Sequence, residues 1–352
     1  MVQKGRKRAV RAAAFMLSMV LTTFSLASGA AAAERQRELI PMGNTIGIQM
    51  NTKGVLVVGL TSVGENAEDI SPAGRAGVLP GDVIIKLGSR EINSAQDFLA
   101  AVAELDEGDI SITIKRGEKV AQYAVSPQKN AEGNCQLGLW LRDSVTGIGT
   151  VTFYDPETGI YGALGHPISD VDTGVIMPLG SGSIMDSTVV EVHPGKSGTP
   201  GELCGSFDNT GSRGSILQNT ESGIFGLMQK GLNFDDRQLM PVAGENEIVL
   251  GEAKILANVR GKEIREYSIE VERVYRNDAS GRSMMITITD PELLELTGGI
   301  VQGMSGSPII QNGKLVGAVT HVLISDPTRG YGISVEHMME TAENRIKLSN
   351  AA

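Results

Sequence analysis

The sequence predicts a mainly β protein in which an N-terminal α+β region is followed by a larger all-β region. Three observations favour this class: short apolar runs, turn residues between them, and 44 glycines among 352 residues. With 41% hydrophobic residues, a chain of this length can form two compact domains with their own cores. The formal net charge is -10 and basic residues form no stripe beyond the N-terminus, which argues against nucleic-acid binding.

Residues 1–33 have the layout of an export signal, in which basic residues precede an apolar run. The run extends from about position 12 to position 27, and small residues then permit A-x-A cleavage near Ala33. It is somewhat long for a signal peptide and short for a membrane-spanning helix, so cleavage and retention as an anchor both stay open. We expect the protein to be exported and membrane-associated.

Residues 34–125 are predicted as the α+β region. The runs "VLVVGLTSV", "DVIIKLGS" and "DISITIKRG" are typical of short strands. The segment 94–105, "SAQDFLAAVAEL", is predicted as a helix with Ser94 as its N-cap and Asp97 completing a capping box. Residues 126–133, "SPQKNAEG", are polar and rich in turn formers, so they are predicted as the linker to the second region.

The stretch 71–98, which contains "AGVLPGDVI", resembles the core of a PDZ domain. PDZ domains bind a peptide as an additional strand at a sheet edge and hold its C-terminal carboxylate on backbone N–H groups. The resemblance implies that Ile46, Gly47 and Ile48 form the peptide-binding loop, where Gly47 lets the backbone approach the carboxylate.

Residues 134–352 are predicted as an all-β domain of the barrel or sandwich kind. One hairpin is expected over residues 147–168, and a second one turns at Asn312 and Gly313. A final helix is predicted from about Val335 to Leu348.

The hexapeptide G-x-S-G-[ST]-P occurs twice, around Ser197 and around Ser305. Glycines flank Ser305, and Pro308 then opens an apolar hairpin, which is how chymotrypsin-like barrels present a nucleophilic serine. The N–H groups of Gly303 and Ser305 are the predicted oxyanion hole, and one such donor contributes about 3–4 kcal/mol in the transition state. Ser197 leads instead into a polar loop, so it is predicted to lie in a structural turn near the same cleft.

The four histidines limit the choice of a general base. His166 follows the strand "IYGALGHP" and is the predicted base, because a base should approach the serine from a separate element. His193 lies only four positions before Ser197, on the same loop. His321 ends the strand after the Ser305 hairpin and is expected to point away from the serine, and His337 lies in the final helix.

The group that orients the base is left open by the residues alone. Asp290 precedes Ser305 by fifteen positions and ends a strand, whereas Asp170 and Asp172 follow His166 directly. All three satisfy the chain order of histidine, aspartate and serine.

No metal site or cofactor is predicted, because H-E-x-x-H and C-x-x-C motifs are absent from the sequence and its histidines are scattered. The two cysteines, Cys135 and Cys204, fit either a disulfide in an exported protein or two free thiols.

The order of these features is distinctive: an export-like segment, a PDZ-like core, "ALGHPI" and then "GMSGSP". The chain resembles the SpoIVB (stage IV sporulation protein B) family of signalling serine peptidases from endospore-forming bacteria. HtrA-type proteases, in contrast, carry the peptidase before the PDZ domain. The resemblance implies His166 as base, Ser305 as nucleophile and Asp290 as the orienting acid, with no cofactor.

The resemblance also implies a biological role. Members of the family are exported into the space between the two membranes around the developing spore. There they cleave a membrane-bound regulator of an intramembrane protease, which leads to processing of a sigma factor precursor. They also process themselves, with the PDZ domain binding a peptide ligand in cis or in trans. Two alternatives are an HtrA-like quality-control protease and a non-catalytic PDZ adaptor.

Overall fold

Strands dominate the computed structural model, which describes residues 37–63, 71–105, 108–232, 234, 236–276 and 281–349; side chains at 208–210 and 344–349 lie outside the description. The strand content of 56% against 11% helix confirms the mainly β class. The export segment predicted at residues 1–33 lies outside the described residues. Within the described ranges, no helix combines the length and apolar character needed to cross a membrane.

The strands in chain order are β1 Glu38–Pro41, β2 Thr45–Leu60, β3 Val83–Leu87, β4 Arg90–Glu91, β5 Ile110–Arg116, β6 Lys119–Val125, β7 Gln128–Lys129, β8 Cys135–Gln136, β9 Leu139–Tyr154, β10 Ile160–Ala163, β11 Leu179–His193, β12 Glu202–Thr220, β13 Gly223–Met228, β14 Met240–Pro241, β15 Gly251–Arg260, β16 Glu263–Val274, β17 Met284–Ile288, β18 Pro308–Gln311, β19 Lys314–Leu323 and β20 Asp326–Ser334. The helices are α1 Pro72–Ala76, α2 Ala95–Ala103, α3 Pro291–Thr297 and α4 Val335–Ser349, and a 3₁₀ turn covers Glu245–Glu247.

Two six-stranded barrels form the larger region. In the first, the pairings run from β2 through β9, β10, β13, β12 and β11 and return to β2. The second closes in the order β15, β16, β17, β20, β19, β18. Side chains that alternate inward fill each barrel, among them Ile184 and Tyr161 in the first and Ile255, Ile286 and Val319 in the second, all of them fully buried.

The α+β region continues the sheet of the first barrel. Strands β2 and β9 contain 16 residues each, and each strand belongs partly to the barrel and partly to the α+β region. Residues 45–51 of β2 pair with β9 in the barrel, whereas residues 56–60 pair with residues 139–142 of β9 and continue the sheet towards β3, β5 and β6. A register shift between Asn51 and Leu56 separates the two halves. The barrel therefore begins with residues that precede the PDZ-like core.

Helices α1 and α2 pack on this part of the sheet, and of the two only α2 is predicted from the sequence. Ser94 caps α2, and its side chain accepts a hydrogen bond of 3.1 Å from the N–H of Asp97. Phe98 and Val102 of α2 pack on the buried strand residues Ile84 and Ile112. The segment predicted as the linker contains β7, which forms a short hairpin with β8.

The predicted peptide-binding loop at Ile46, Gly47 and Ile48 is wrong. These residues lie near the start of β2, where one edge pairs with β9 and the other with β11. Ile46 and Ile48 are each only 4% exposed. Because both edges of the strand are already paired, no backbone N–H group is left there to bind an incoming peptide.

Hydrogen bonds join the two barrels beside the predicted nucleophile. Thr150 of β9 donates its N–H to the carbonyl of Ser305 at 3.0 Å and its hydroxyl to the carbonyl of Gly303 at 2.7 Å. The hydroxyl of Thr152 donates to the carbonyl of Gly306 at 2.8 Å. The loop that carries Ser305 is therefore held by the first barrel as well as by its own.

Candidate active site

A cavity of about 560 Å³ lies between the two barrels. The end of β10 and the residues after it contribute Leu164 and His166, the loop before β18 contributes Gly303 and Ser305, and β19 contributes His321. The cavity thus brings together the predicted nucleophile and the predicted base, which are 139 positions apart in the sequence.

Ser305 lies in a tight turn that requires its flanking glycines. Gly303 and Gly306 have φ of +97° and +98°, a region that residues with a Cβ rarely adopt. A Cβ on Gly306 would lie 2.0 Å from the carbonyl oxygen of Thr150, so a larger residue cannot be placed there without displacing β9. The Ser305 hydroxyl donates a hydrogen bond of 2.6 Å to the carbonyl of Thr320.

The backbone around Ser305 leaves two donors available. Within the described part of the chain, the N–H groups of Gly303 and Ser305 donate to no protein acceptor, whereas those of Met304, Gly306 and Ser307 all do. Two free N–H groups beside a serine hydroxyl are what an oxyanion hole requires.

His166 is carried into the cavity by a sharp turn at the end of β10. Leu164 and Gly165 both have positive φ, of 70° and 72°, and a Cβ on Gly165 would approach the side chain of Thr320 to 2.8 Å. The Nδ1 atom of His166 lies 2.8 Å from the carbonyl oxygen of Pro167. A carbonyl can only accept, so Nδ1 carries the proton and Nε2 is left as a proton acceptor. Burial lowers the pKa of His166, which favours this neutral form.

His321 also faces the cavity, which corrects the expectation that it points away from Ser305. Its ring centroid lies 5.0 Å from that of His166. The pairing of β19 with β20 shifts register between Val319 and Val322, and such a bulge breaks the alternation on which the expectation rested. Burial lowers the pKa of His321 to about 4, and the charges of His166 and Arg282 act in the same direction. Because the pKa of His166 is also lowered, both imidazoles are neutral near pH 7.

Asp290 is not brought to this cavity. It caps α3, where its carboxylate accepts hydrogen bonds from the N–H groups of Leu293 at 3.1 Å and Ser268 at 3.3 Å. The role found for it is therefore that of a helix N-cap. Among the described residues, none of those that line the cavity is an aspartate or a glutamate.

The other two candidate acids, Asp170 and Asp172, are bound to Arg142. The guanidinium contacts both carboxylates, and Asp170 also accepts from the N–H and the hydroxyl of Thr173. Burial is the largest single influence on the pKa of Asp170 and raises it. Hydrogen bonds from Thr173 and the charge of Arg142 together outweigh burial, so the pKa lies below its usual range. The loop after His166 is thus held by an arginine of β9.

Ser197 lies in a turn between β11 and β12. Its hydroxyl donates to the carbonyl of Ser325 at 2.8 Å, and Pro200 from the same turn lines the cavity. His193 is half-exposed, and its ring nitrogens face Glu202 and Glu191. Of the two histidines considered as base, His166 therefore lines the cavity that holds Ser305, and His193 does not.

A second groove lies between α2 and the beginning of β9. Its volume is about 910 Å³, and Phe98, Val102 and Trp140 are among the residues that line it. Residues 139–142 of β9 pair with β2 on one edge, and no strand of the described ranges pairs with the other. A strand edge beside a helix is the arrangement in which PDZ domains add a peptide.

The sequence contained a signal for this groove that our interpretation missed. Leu137, Gly138 and Leu139 repeat the aliphatic-Gly-aliphatic pattern of residues 46–48, and Gly138 has φ of +69°. The pattern occurs at the start of each of the two long strands that belong to both the barrel and the α+β region, so local sequence cannot distinguish the paired copy from the open one.

Two family models match the chain. The model described as SpoIVB peptidase S55 matches residues 133–339, and the model described as a PDZ domain matches residues 45–126. These matches confirm the predicted resemblance and the predicted order of a PDZ domain followed by a peptidase domain.

Curated relatives match only part of the chain. A probable membrane metalloprotease of Arabidopsis thaliana, ARASP2, is 30% identical over 103 residues, which is 28% of this chain and 22% of the relative. A putative serine protease of Synechocystis sp., HhoB, is 34% identical over 84 residues, 22% of this chain and 20% of the relative. The chain therefore spans about a fifth of the length of the curated relatives it matches.

Solved structures show distant similarity. The Rv3671c protease from M. tuberculosis in its active form aligns with a TM-score of 0.32 at 14% identity, covering 56% of this chain and 73% of that one. The PDZ domain of the SdrC-like protein from Listeria monocytogenes aligns with a TM-score of 0.22 at 24% identity, covering 25% of this chain and 87% of that one.

Proposed function

The chain belongs to the SpoIVB peptidase S55 family and is a PDZ-containing serine protease, and we propose that Ser305 is its nucleophile and His166 its general base. The observation that carries the proposal is the shared cavity, in which a glycine-flanked serine, a neutral histidine from the other barrel and two free N–H donors converge. A nucleophile, a base from a separate element and oxyanion donors are the three requirements of acyl transfer by serine.

The reaction begins with a rotation of the Ser305 hydroxyl. In the observed arrangement it donates to Thr320, and it must turn towards Nε2 of His166 before that atom can take its proton. The Ser305 oxygen then bonds to the scissile carbonyl carbon, and the N–H groups of Gly303 and Ser305 stabilise the oxyanion. His166 gives the proton to the leaving amine as the C–N bond breaks, and a water molecule hydrolyses the acyl-enzyme in the same way.

The carbonyl of Pro167 performs the orienting task in this arrangement. It accepts from Nδ1 of His166 and selects the tautomer with a basic Nε2, which is the first function of the acid in a catalytic triad. As a neutral group it stabilises an imidazolium less than a carboxylate does. A triad that contains Asp290 would require this residue to leave the N-cap of α3 and approach His166.

Membership of this family supports a more specific role, which we also propose. The protein is exported to the intermembrane space of the developing spore and remains membrane-associated. There it cleaves a membrane-bound regulator of an intramembrane protease, as a signal for sigma factor precursor processing, and it processes itself. The PDZ domain binds a peptide in cis or in trans and controls access to the cavity.

The two copies of the hexapeptide provide a matched experiment. A fluorophosphonate probe should label the wild-type protein and Ser197→Ala equally, and should leave Ser305→Ala and His166→Gln unlabelled. Turnover should fall on the order of 10⁶-fold in Ser305→Ala. Labelling that persists in Ser305→Ala would exclude the assignment, and ready cleavage of unfolded casein would favour broad quality control over signalling.

A further inference from the structure

We propose that His193, Glu202 and Cys204 form a binding site for a zinc-like divalent metal ion, outside the catalytic cavity. The three side chains belong to β11 and β12, and one ligand atom from each lies within 4.8 Å of the other two. Nitrogen, oxygen and thiolate sulfur together are the ligand set that Zn²⁺ and Co²⁺ accept, whereas Mg²⁺ and Ca²⁺ prefer oxygen alone.

The antiparallel ribbon itself assembles this site. His193 pairs with Glu202 and Glu191 pairs with Cys204, and residues two apart on a strand share a face. The imidazole, the thiol and two carboxylates are therefore presented on the same side of the ribbon. Sequence motifs do not reveal this set, because its ligands are separated by the turn that contains Ser197.

The distances between the side-chain atoms are close to those between neighbouring ligands in a metal site. Nδ1 of His193 lies 3.0 Å from Oε1 of Glu202 and 3.8 Å from Sγ of Cys204. Tetrahedral bonds of about 2.0–2.3 Å place ligand atoms about 3.3–3.8 Å apart. Small rotations of exposed side chains thus complete three corners of a tetrahedron, and water can occupy the fourth.

The local charge favours a cation at this position. Carboxylate oxygens of Glu202 and Glu191 lie 3.0 Å and 3.4 Å from the two ring nitrogens of His193, so two negative charges face this position. A divalent ion would offset the repulsion between these carboxylates and a thiolate, and it would replace the protons on His193 and Cys204.

The site adjoins the segment that leads to the oxyanion donors. Leu203 donates its N–H to the carbonyl of Gln302 at 2.9 Å, and Gln302 donates its N–H to the carbonyl of Gly201 at 2.8 Å. Gln302 immediately precedes Gly303. A metal ion that ties the end of β11 to the start of β12 would therefore hold the strand on which this loop rests.

Titration of Zn²⁺ into the full chain by calorimetry, with Co²⁺ absorption as a second readout, tests the site. Wild type should bind one equivalent, and the Co²⁺ form should show a thiolate charge-transfer band. Cys204→Ser should lose that band, and His193→Ala and Glu202→Gln should weaken Zn²⁺ binding at least tenfold. The matched control is Cys135→Ser, which removes the other free cysteine, whose thiol lies 3.5 Å from the carbonyl oxygen of Leu105.

The proposal is overturned if wild type binds no stoichiometric Zn²⁺, or if Cys135→Ser loses the band while Cys204→Ser keeps it. Thermal unfolding of each variant without metal separates loss of the site from loss of the fold. Because the three side chains are at least partly exposed, we expect these melting temperatures to match wild type.

Discussion

The imidazole rings of His166 and His321 face each other across the two barrels, with their centroids 5.0 Å apart. His166 follows a strand of the first barrel and His321 lies on a strand of the second, so the contact exists only when the barrels are packed together. A proton on His166 repels one on His321, and this interaction contributes to the lowered pKa of His321. Protonation of one imidazole therefore disfavours protonation of the other, in the cavity that Ser305 lines.

The acid limb of the pH–rate profile should identify the base. His166 must be neutral to accept a proton, and burial lowers its pKa from 6.5, so kcat/KM should be lost only as the pH falls through a midpoint below 6.5. Because His321 has a pKa of about 4 and is already neutral there, His321→Gln should keep this limb with little change in midpoint. Disappearance of the limb in His321→Gln, with cleavage retained in His166→Gln, would assign the base to His321.

Substitution of Asp290 distinguishes a helix cap from a catalytic carboxylate. Asp290→Ala removes the side chain that accepts from Leu293 N, and the free energy of unfolding should fall by about 1 kcal/mol. Asp290→Asn keeps a good N-cap without the charge, so both stability and turnover should stay near wild type. Chemical denaturation and peptidase kinetics measure the two quantities. A stable Asp290→Asn protein without turnover would show that the charge itself is needed.

Asp170 and Asp172 offer a second matched pair. The Asp170 side chain is 0% exposed and that of Asp172 is 54% exposed, although both contact Arg142. Asp170→Asn should lower the free energy of unfolding by about 2 kcal/mol, and Asp172→Asn by less than about 1 kcal/mol. Similar losses of unfolding free energy in both variants would show that burial of the carboxylate does not determine how strongly its contact with Arg142 stabilises the fold.

The same carboxylate predicts an acid-dependent loss of stability. Since the pKa of Asp170 is lowered in the folded protein, its contribution is complete above the pKa of the unfolded chain and is lost as the pH falls through the folded value. Asp170→Asn should reduce the slope of stability against pH in that acidic range, while Asp172→Asn provides the reference.

The single tryptophan of the chain reports on the groove beside α2. Trp140 is 64% exposed and lines that groove. A bound peptide should cover it and shift its emission to shorter wavelength. Leu99→Ala, in the same groove, should weaken binding by about fivefold, which corresponds to about 1 kcal/mol of lost apolar contact. Val120→Ala, an exposed position of β6 outside the groove, is the control. Peptide binding that leaves the emission unchanged would place the ligand elsewhere.

Local patterns in the sequence determined many of the elements and indicated two residues of the candidate site. The short apolar runs, the N-cap at Ser94 and the hairpin behind Pro308 act over a few positions, so they are readable without long-range contacts. The glycines around Ser305 and the strand end before His166 are signals of the same kind. The structure brings these two residues to one cavity.

Only the tertiary structure decided the features that depend on which strands pair. Residues 46–48 and 137–139 share one pattern, yet the first set lies between β9 and β11 whereas the second leads into a segment of β9 that is paired on one edge only. A bulge turns His321 towards the cavity, a cap holds Asp290 away from it, and a cross-strand register unites His193, Glu202 and Cys204. Register and packing are non-local, and a shift of one residue reverses the face on which a side chain lies.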